Sequence, residues 1–154
     1  MTAAAAPDTI DLAAGDAFVN RWIGAPFQWD GRSPAGADCW GLAWCWHRDV
    51  LGVILPDWIK GARGRGWIWR TLADERAGPA WHRLEAPANG CLVLTLPATR
   101  PAHVGIFWRG GVLHAQEPDG AQWNPLALFA MAHPGHEFGR YQPAARKPAT
   151  RGAA

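Results

Sequence analysis

Cys39-Trp-Gly-Leu-Ala-Trp-Cys-Trp-His-Arg-Asp-Val-Leu-Gly52 decides how this chain is read. The stretch has the pattern of a helix that opens on a cysteine and is closed by Gly52. Immediately upstream, Pro26-Phe-Gln-Trp-Asp-Gly-Arg-Ser-Pro-Ala-Gly-Ala-Asp38 is dense in turn-forming Gly and Pro. Downstream, His103-Val-Gly-Ile-Phe-Trp-Arg-Gly-Gly-Val-Leu-His114 reads as a β-hairpin with a histidine on each strand.

The position of Cys39 has chemical consequences. The first N–H groups of a helix lack intrahelical partners, and the macrodipole places partial positive charge there. That field is expected to lower the Cys39 pKa and enlarge its thiolate fraction. The glycine-rich loop before it lets a substrate backbone approach. Cys45, one and a half turns later, gets no such help and reads as a buried core residue, as does Cys91 within a predicted strand.

Strand parity constrains the histidines. His103, Gly105 and Phe107 share one face, and Val104, Ile106 and Trp108 the other. A two-residue turn at Arg109-Gly110 sets His114 across from Gly105, diagonal to His103 and within side-chain reach. A turn at Gly110-Gly111 instead gives that place to Gln116. Local turn preference favours Gly-Gly, so His114 and Gln116 both stand as candidates to orient His103. In this arrangement His103 takes the thiol proton and later protonates a leaving amine, while the third polar group fixes its tautomer. Two histidines on a hairpin are by themselves ordinary core or surface residues; the preceding Cys helix gives them a chemical reading. A zinc site of Cys39, His103 and His114 lacks an evident fourth ligand and short paired spacing. No metal or other cofactor is expected. His47, His82, His133 and His136 have no comparable sequence context.

Around these segments the chain organises as one domain. Residues 1–7 and the basic tail 143–154 are predicted disordered, leaving 8–142 as a single folded unit. Apolar spacing from Ile10 to Trp22 predicts an amphipathic helix, ended by Gly24 and Pro26. Leu55–Trp58 reads as a turn, Trp67–Arg76 as a short helix broken at Gly78-Pro79, and Cys91–Leu96 as a strand. Asn124–Ala132 suggests a helix with proline in its first turn, and Phe138–Gln142 a last strand. Helices first and antiparallel strands later indicate an α+β fold.

Composition narrows the function. A net charge of +2 with scattered basic residues gives no case for nucleic acid, and Lys60, Arg63, Arg65 and Arg70 read as a solvated face. Three cysteines without a CxxC do not make a disulfide framework, so the thiols are expected to be reduced. The N-terminus lacks the basic and apolar regions of a secretory signal, and no window reaches ~18 apolar residues, so synthesis in the cytoplasm without a membrane span is expected. Eleven tryptophans in 154 residues are open to two readings: core packing, or a face for sugars, peptides or a larger assembly.

At these residues the chain resembles the NlpC-type cell-wall peptidases, a family of papain-like cysteine enzymes. The resemblance rests on Trp22-Ile-Gly-Ala-Pro-Phe-Gln-Trp29, Gly31-Arg-Ser-Pro-Ala-Gly-Ala-Asp-Cys-Trp-Gly-Leu42 and His103-Val-Gly-Ile106 with Leu113-His-Ala115. It implies a papain-like fold in which the nucleophile helix packs on a small antiparallel sheet. It also implies a cysteine endopeptidase cutting peptidoglycan stems, typically between D-glutamate and the diamino acid. Cys39 maps to the nucleophile, His103 to the base, and His114 to the third polar residue. The hairpin is one residue shorter than usual, which keeps Gln116 as the alternative. Trp29, Asp38 and Trp40, flanking the thiol, are the candidate substrate-binding residues.

Tryptophan after the cysteine resembles the subgroup of phage tails and gene-transfer particles. That implies tail-tip partner proteins and a site of action at the cell wall in the periplasm. Two departures stand out. Phe27 occupies the place of a tyrosine whose hydroxyl helps at the oxyanion site, and Gly90-Cys91 replaces a common Gly-Asp. Two other readings stay open: a structural tail-tip subunit with the same fold and little activity, and a thiol acyltransferase or amidase on another substrate.

Overall fold

Asp11 starts the first helix. Its carboxylate accepts the amides of Ala13 and Ala14 at 2.9 and 3.2 Å, capping α1 (Leu12–Trp22). The computed structural model describes residues 10–55, 65–96 and 103–142, apart from the side chains of 65–69 and 71. The predicted disorder at 1–7 and 143–154, the turn reaching Trp58 and most of the basic cluster lie outside the described residues.

A two-stranded ribbon, β1 (Arg32–Ser33) and β2 (Gly36–Ala37), follows α1 and leads into α2 (Cys39–Trp46). One π-helical turn, His47–Leu51, extends α2 and stops at Gly52, whose φ of 68° is left-handed. Then come α3 (Arg65–Ala77), β3 (Trp81–Leu84), β4 (Leu92–Thr95), β5 (Val104–Trp108), β6 (Gly111–Gln116), β7 (Gly120–Pro125), α4 (Leu126–Ala132) and β8 (His136–Tyr141). The six larger strands form one antiparallel sheet in the order β3-β8-β4-β5-β6-β7. The α+β, papain-like expectation holds, with the Cys39 helix packed against β5 and β6 of the sheet.

α2 is apolar nearly all round because it is the middle layer. Trp40, Leu42, Ala43, Cys45 and Trp46 are all buried. Phe18 of α1 stacks on Trp22 at 5.4 Å and meets Trp46 edge-on at 5.1 Å, and Trp46 meets Trp108 of β5 at 5.3 Å. This aromatic chain ties both helices to the sheet, each pair adding about 0.5–1.5 kcal/mol beyond burial. Trp22, Trp40, Trp46 and Trp108 are therefore core residues.

Several element boundaries differ from the sequence reading. The segment between 79 and 89 contains β3, which among the described residues is an edge strand paired with β8. Cys91 directly precedes β4 instead of lying within it, though it is buried as expected. Residues 120–125, read partly as helix, form strand β7, and Pro125 sits at the N-cap of α4 rather than in its first turn. β8 starts two residues earlier than predicted, at His136.

Candidate active site

Asp38 sets the start of the Cys39 helix. One carboxylate oxygen accepts the Gly41 amide at 2.7 Å, and the other accepts the Asp30 amide at 2.9 Å. The cap thus also pins the preceding loop. Gly41 allows the helix to press on that loop: a Cβ there would lie 2.0 Å from the Gly31 carbonyl oxygen. Cys39 becomes the first helical residue, facing the start of β5.

The sulfur is surrounded by competing influences. Backbone N–H groups of Val104, Trp40 and Cys39 itself favour the thiolate. Burial and the neighbouring Asp38 charge oppose them, and the Cys39 pKa is pushed up to about 12. The expected lowering by the helix terminus is overturned: the helix field acts, but the loss of solvent outweighs it. Cys45 behaves as predicted, buried with its thiol donating to the Arg32 carbonyl oxygen at 3.2 Å.

His103 is fixed through its backbone. Its N–H donates to Thr95 Oγ1 at 2.7 Å, and its carbonyl accepts the Thr95 amide at 2.9 Å. Its Nε2 lies 2.8 Å from His114 Nδ1, and the rings are inclined by 77°. His114 is therefore the residue that meets His103. Gln116 sits further along β6, paired with Gly120. The two histidines share a face, as parity requires.

The register follows from the hairpin turn. Trp108 pairs with Gly111, so Arg109 and Gly110 form the turn, with φ of 47° and 79°. The Gly-Gly preference is overridden by tertiary contacts. The Arg109 amide donates to Asn89 Oδ1 at 2.8 Å, and its guanidinium holds both Asp16 oxygens at 2.6 and 2.8 Å. At the other end of the hairpin, Gly105 clears the way for His114. A Cβ on Gly105 would stand 2.4 Å from a Val112 methyl and 3.2 Å from the His114 Cβ.

Residues without a sequence signal complete the site. Asn124 Oδ1 lies 2.7 Å from His114 Nε2. Phe129 of α4 meets His114 edge-on at 5.0 Å, and His133 stacks on His103 at 5.2 Å with 25° between planes. Cys39, His103 and His114 are 5, 8 and 2% exposed, so the three side chains are shielded from water. Burial holds both histidines neutral by lowering their pKa values, with His114 and His133 adding to the effect on His103.

The three candidate substrate-binding residues are placed differently. Asp38 and Trp40 are buried, Asp38 engaged as a cap and Trp40 in the core. Trp29 is half-buried, edge-on to Phe27 at 4.8 Å. Among the described residues no three His, Cys, Asp or Glu side chains are grouped to hold a metal ion, and no helix is long and apolar enough to cross a membrane.

Comparison with known proteins matches the NlpC/P60 family over residues 24–132, which spans the loop after α1, the Cys39 helix, the hairpin and α4. The chain belongs to the NlpC/P60 family. Solved structures agree with the fold. The NlpC/p60 domain of the peptidoglycan hydrolase SagA has a TM-score of 0.58 and 23% identity, over 86% of this chain and all of that one. An NLP/P60 family protein similar to lipoprotein, from Staphylococcus aureus subsp. aureus Mu50, has a TM-score of 0.57 and 20% identity over 88% of this chain. An NlpC/P60 family protein from Bacillus cereus ATCC 10987 has a TM-score of 0.60 and 19% identity, again over 88%. The match covers only 44% and 41% of those last two chains. No curated protein matches the sequence.

Proposed function

We propose that this NlpC/P60 protein is a cysteine amide hydrolase acting on the peptide stems of peptidoglycan. The observation that carries the reading is the 2.8 Å contact of His103 Nε2 with His114 Nδ1. It occupies one ring nitrogen of His103 and leaves Nδ1 for the thiol of Cys39, whose helix begins against the same strand. Family membership and the likeness to the SagA domain, described as part of a peptidoglycan hydrolase, support the substrate class.

The resting pair is a neutral thiol and a neutral imidazole. As the sulfur attacks a substrate carbonyl, its proton passes to His103 Nδ1, and the Cys39 N–H faces the developing oxyanion. His103 then returns the proton to the departing amine. The thioester is hydrolysed by a water that His103 deprotonates, which regenerates the thiol. His114 orients the His103 ring throughout. Trp29 is the candidate for substrate contact at the rim. The finer assignment is cleavage between D-glutamate and the diamino acid. The protein would act at the periplasmic cell wall as a component of a phage-like tail, with tail-tip proteins as partners. Trp40 after the nucleophile supports that subgroup.

Two observations favour a second reading, a structural tail-tip subunit with little activity. The Cys39 thiol is held at about 12 by burial, and Phe27 offers no hydroxyl near the loop. Incubating the protein and Cys39→Ala with peptidoglycan and soluble stem peptides, with products read by mass spectrometry, separates the readings. New amino-terminal fragments from the wild type alone establish the hydrolase and locate its bond. Intact peptides from both, with a folded protein and reduced thiol, select the structural subunit.

A further inference from the structure

A histidine in the orienting position brings a problem that a carboxamide does not. Its ring has two neutral tautomers, and only one suits the base. If His114 carries its proton on Nε2, its Nδ1 lone pair accepts a hydrogen bond from His103 Nε2–H. His103 Nδ1 is then unprotonated and able to take the thiol proton. If His114 carries its proton on Nδ1, that proton is directed at His103 Nε2. His103 must then hold its own proton on Nδ1, where a base needs a lone pair. A single proton shift on His114 therefore disarms His103 without moving a heavy atom.

We propose that Asn124 is a positioning residue that selects the working tautomer of both histidines, in a chain running from Asn124 through His114 to His103. The inference rests on the hydrolase reading above and extends it to a residue outside the three already assigned. Asn124 Oδ1 is an acceptor 2.7 Å from His114 Nε2 and requires a proton on that nitrogen. His114 Nδ1 is thereby left as the acceptor for His103 Nε2–H across 2.8 Å.

Two features of the fold support the assignment. Asn124 pairs with Val112 and Gln122 with His114, so Asn124 and His114 lie on the same face of adjacent strands. Phe129 packs edge-on against His114, and the ring is almost wholly buried, so bulk water is kept from substituting for the amide. The contact also acts during the reaction. When His103 becomes imidazolium its Nε2–H bond to His114 strengthens, and the polarised His114 Nε2–H bonds more strongly to Asn124.

The test combines a substrate-free readout with kinetics. Histidine-labelled ¹⁵N NMR of the full chain at neutral pH is expected to show His103 and His114 both protonated at Nε2. Asn124→Leu is expected to populate the Nδ1–H form of His114, and Asn124→Asp, an acceptor of similar shape, to retain Nε2–H. On stem peptides, Asn124→Leu should lower kcat by ~10²-fold with KM unchanged, the scale of a lost general base, and Asn124→Asp should recover most of it. Protonation of His114 at Nδ1 in the wild type overturns the proposal. So do unchanged tautomers in Asn124→Leu, and the wild-type result alone decides if that variant does not fold. Failure of the hydrolase reading looks different: the wild type leaves stem peptides intact, while the NMR result still decides the tautomer assignment.

Discussion

Asp38 and Cys39 act against each other as charges while depending on each other structurally. The carboxylate caps the helix that presents the thiol, yet its negative charge joins burial in raising the Cys39 pKa. Asp38→Asn separates these roles. Its amide oxygen can accept only one of the Gly41 and Asp30 amides that the two carboxylate oxygens now hold. Stability should fall by about 1–3 kcal/mol in urea titrations. Alkylation of Cys39 at pH 8 should become several-fold faster as the repelling charge disappears. Slower alkylation in a folded variant would show that the cap matters more to the thiol than the charge does.

The neutral resting pair has its own kinetic signature. Because the Cys39 pKa is raised and that of His103 lowered, little thiolate exists at neutral pH. Iodoacetamide labelling of Cys39, followed by peptide mass mapping, should accelerate about tenfold per pH unit through the alkaline range. A plateau already reached near pH 6 would instead demonstrate a preformed thiolate–imidazolium pair.

Local sequence carries the segments around Cys39 and the 103–114 hairpin. Cys39 announces itself by its helix and loop, and His103 and His114 share a face by the period of two. The rest of the site is set by distant contacts. Arg109 takes a left-handed turn position because Asn89 and Asp16 hold it, and neither partner is close in sequence. That choice decides His114 over Gln116. Asn124 carries no sequence signal, because β7 lacks clean alternation and ends at Pro125. Thr95 and His133 reach His103 only through the order of the sheet and the packing of α4. The helix field at Cys39 was legible too, but not the burial that overrides it.

Acid should destabilise the fold, and His47 accounts for part of this. Buried in the π-helical turn with Nδ1 2.7 Å from the Ala43 carbonyl oxygen, it has a pKa lowered to about 4, chiefly by desolvation. The unfolded chain binds a proton near pH 6.5 and the folded one does not. Stability is therefore full above that pH and is lost as pH falls toward about 4. At about pH 5 the loss from this residue is about 2 kcal/mol. His103 and His114, also held neutral by burial, add in the same direction. Urea midpoints at pH 7.5 and 5 should differ less in His47→Gln than in the wild type. An identical difference would remove His47 from the account.

Gly105 tests whether the hairpin's close packing holds the histidine pair together. Its missing side chain makes room for Val112 and His114 on the neighbouring strand, where a Cβ would approach the Leu113 carbonyl oxygen to 3.1 Å and the Val112 methyl to 2.4 Å. Gly105→Ala must displace β6, at a cost of about 1–3 kcal/mol. The displacement also carries His114 away from His103. On stem peptides kcat should fall more than tenfold with little change in KM, because a misplaced base slows chemistry more than binding. Gly110→Asn, at the far end of the same hairpin, meets open space and a φ that asparagine tolerates. It should leave kcat unchanged. Wild-type turnover in a folded Gly105→Ala protein would mean that the position of His114 does not depend on this contact.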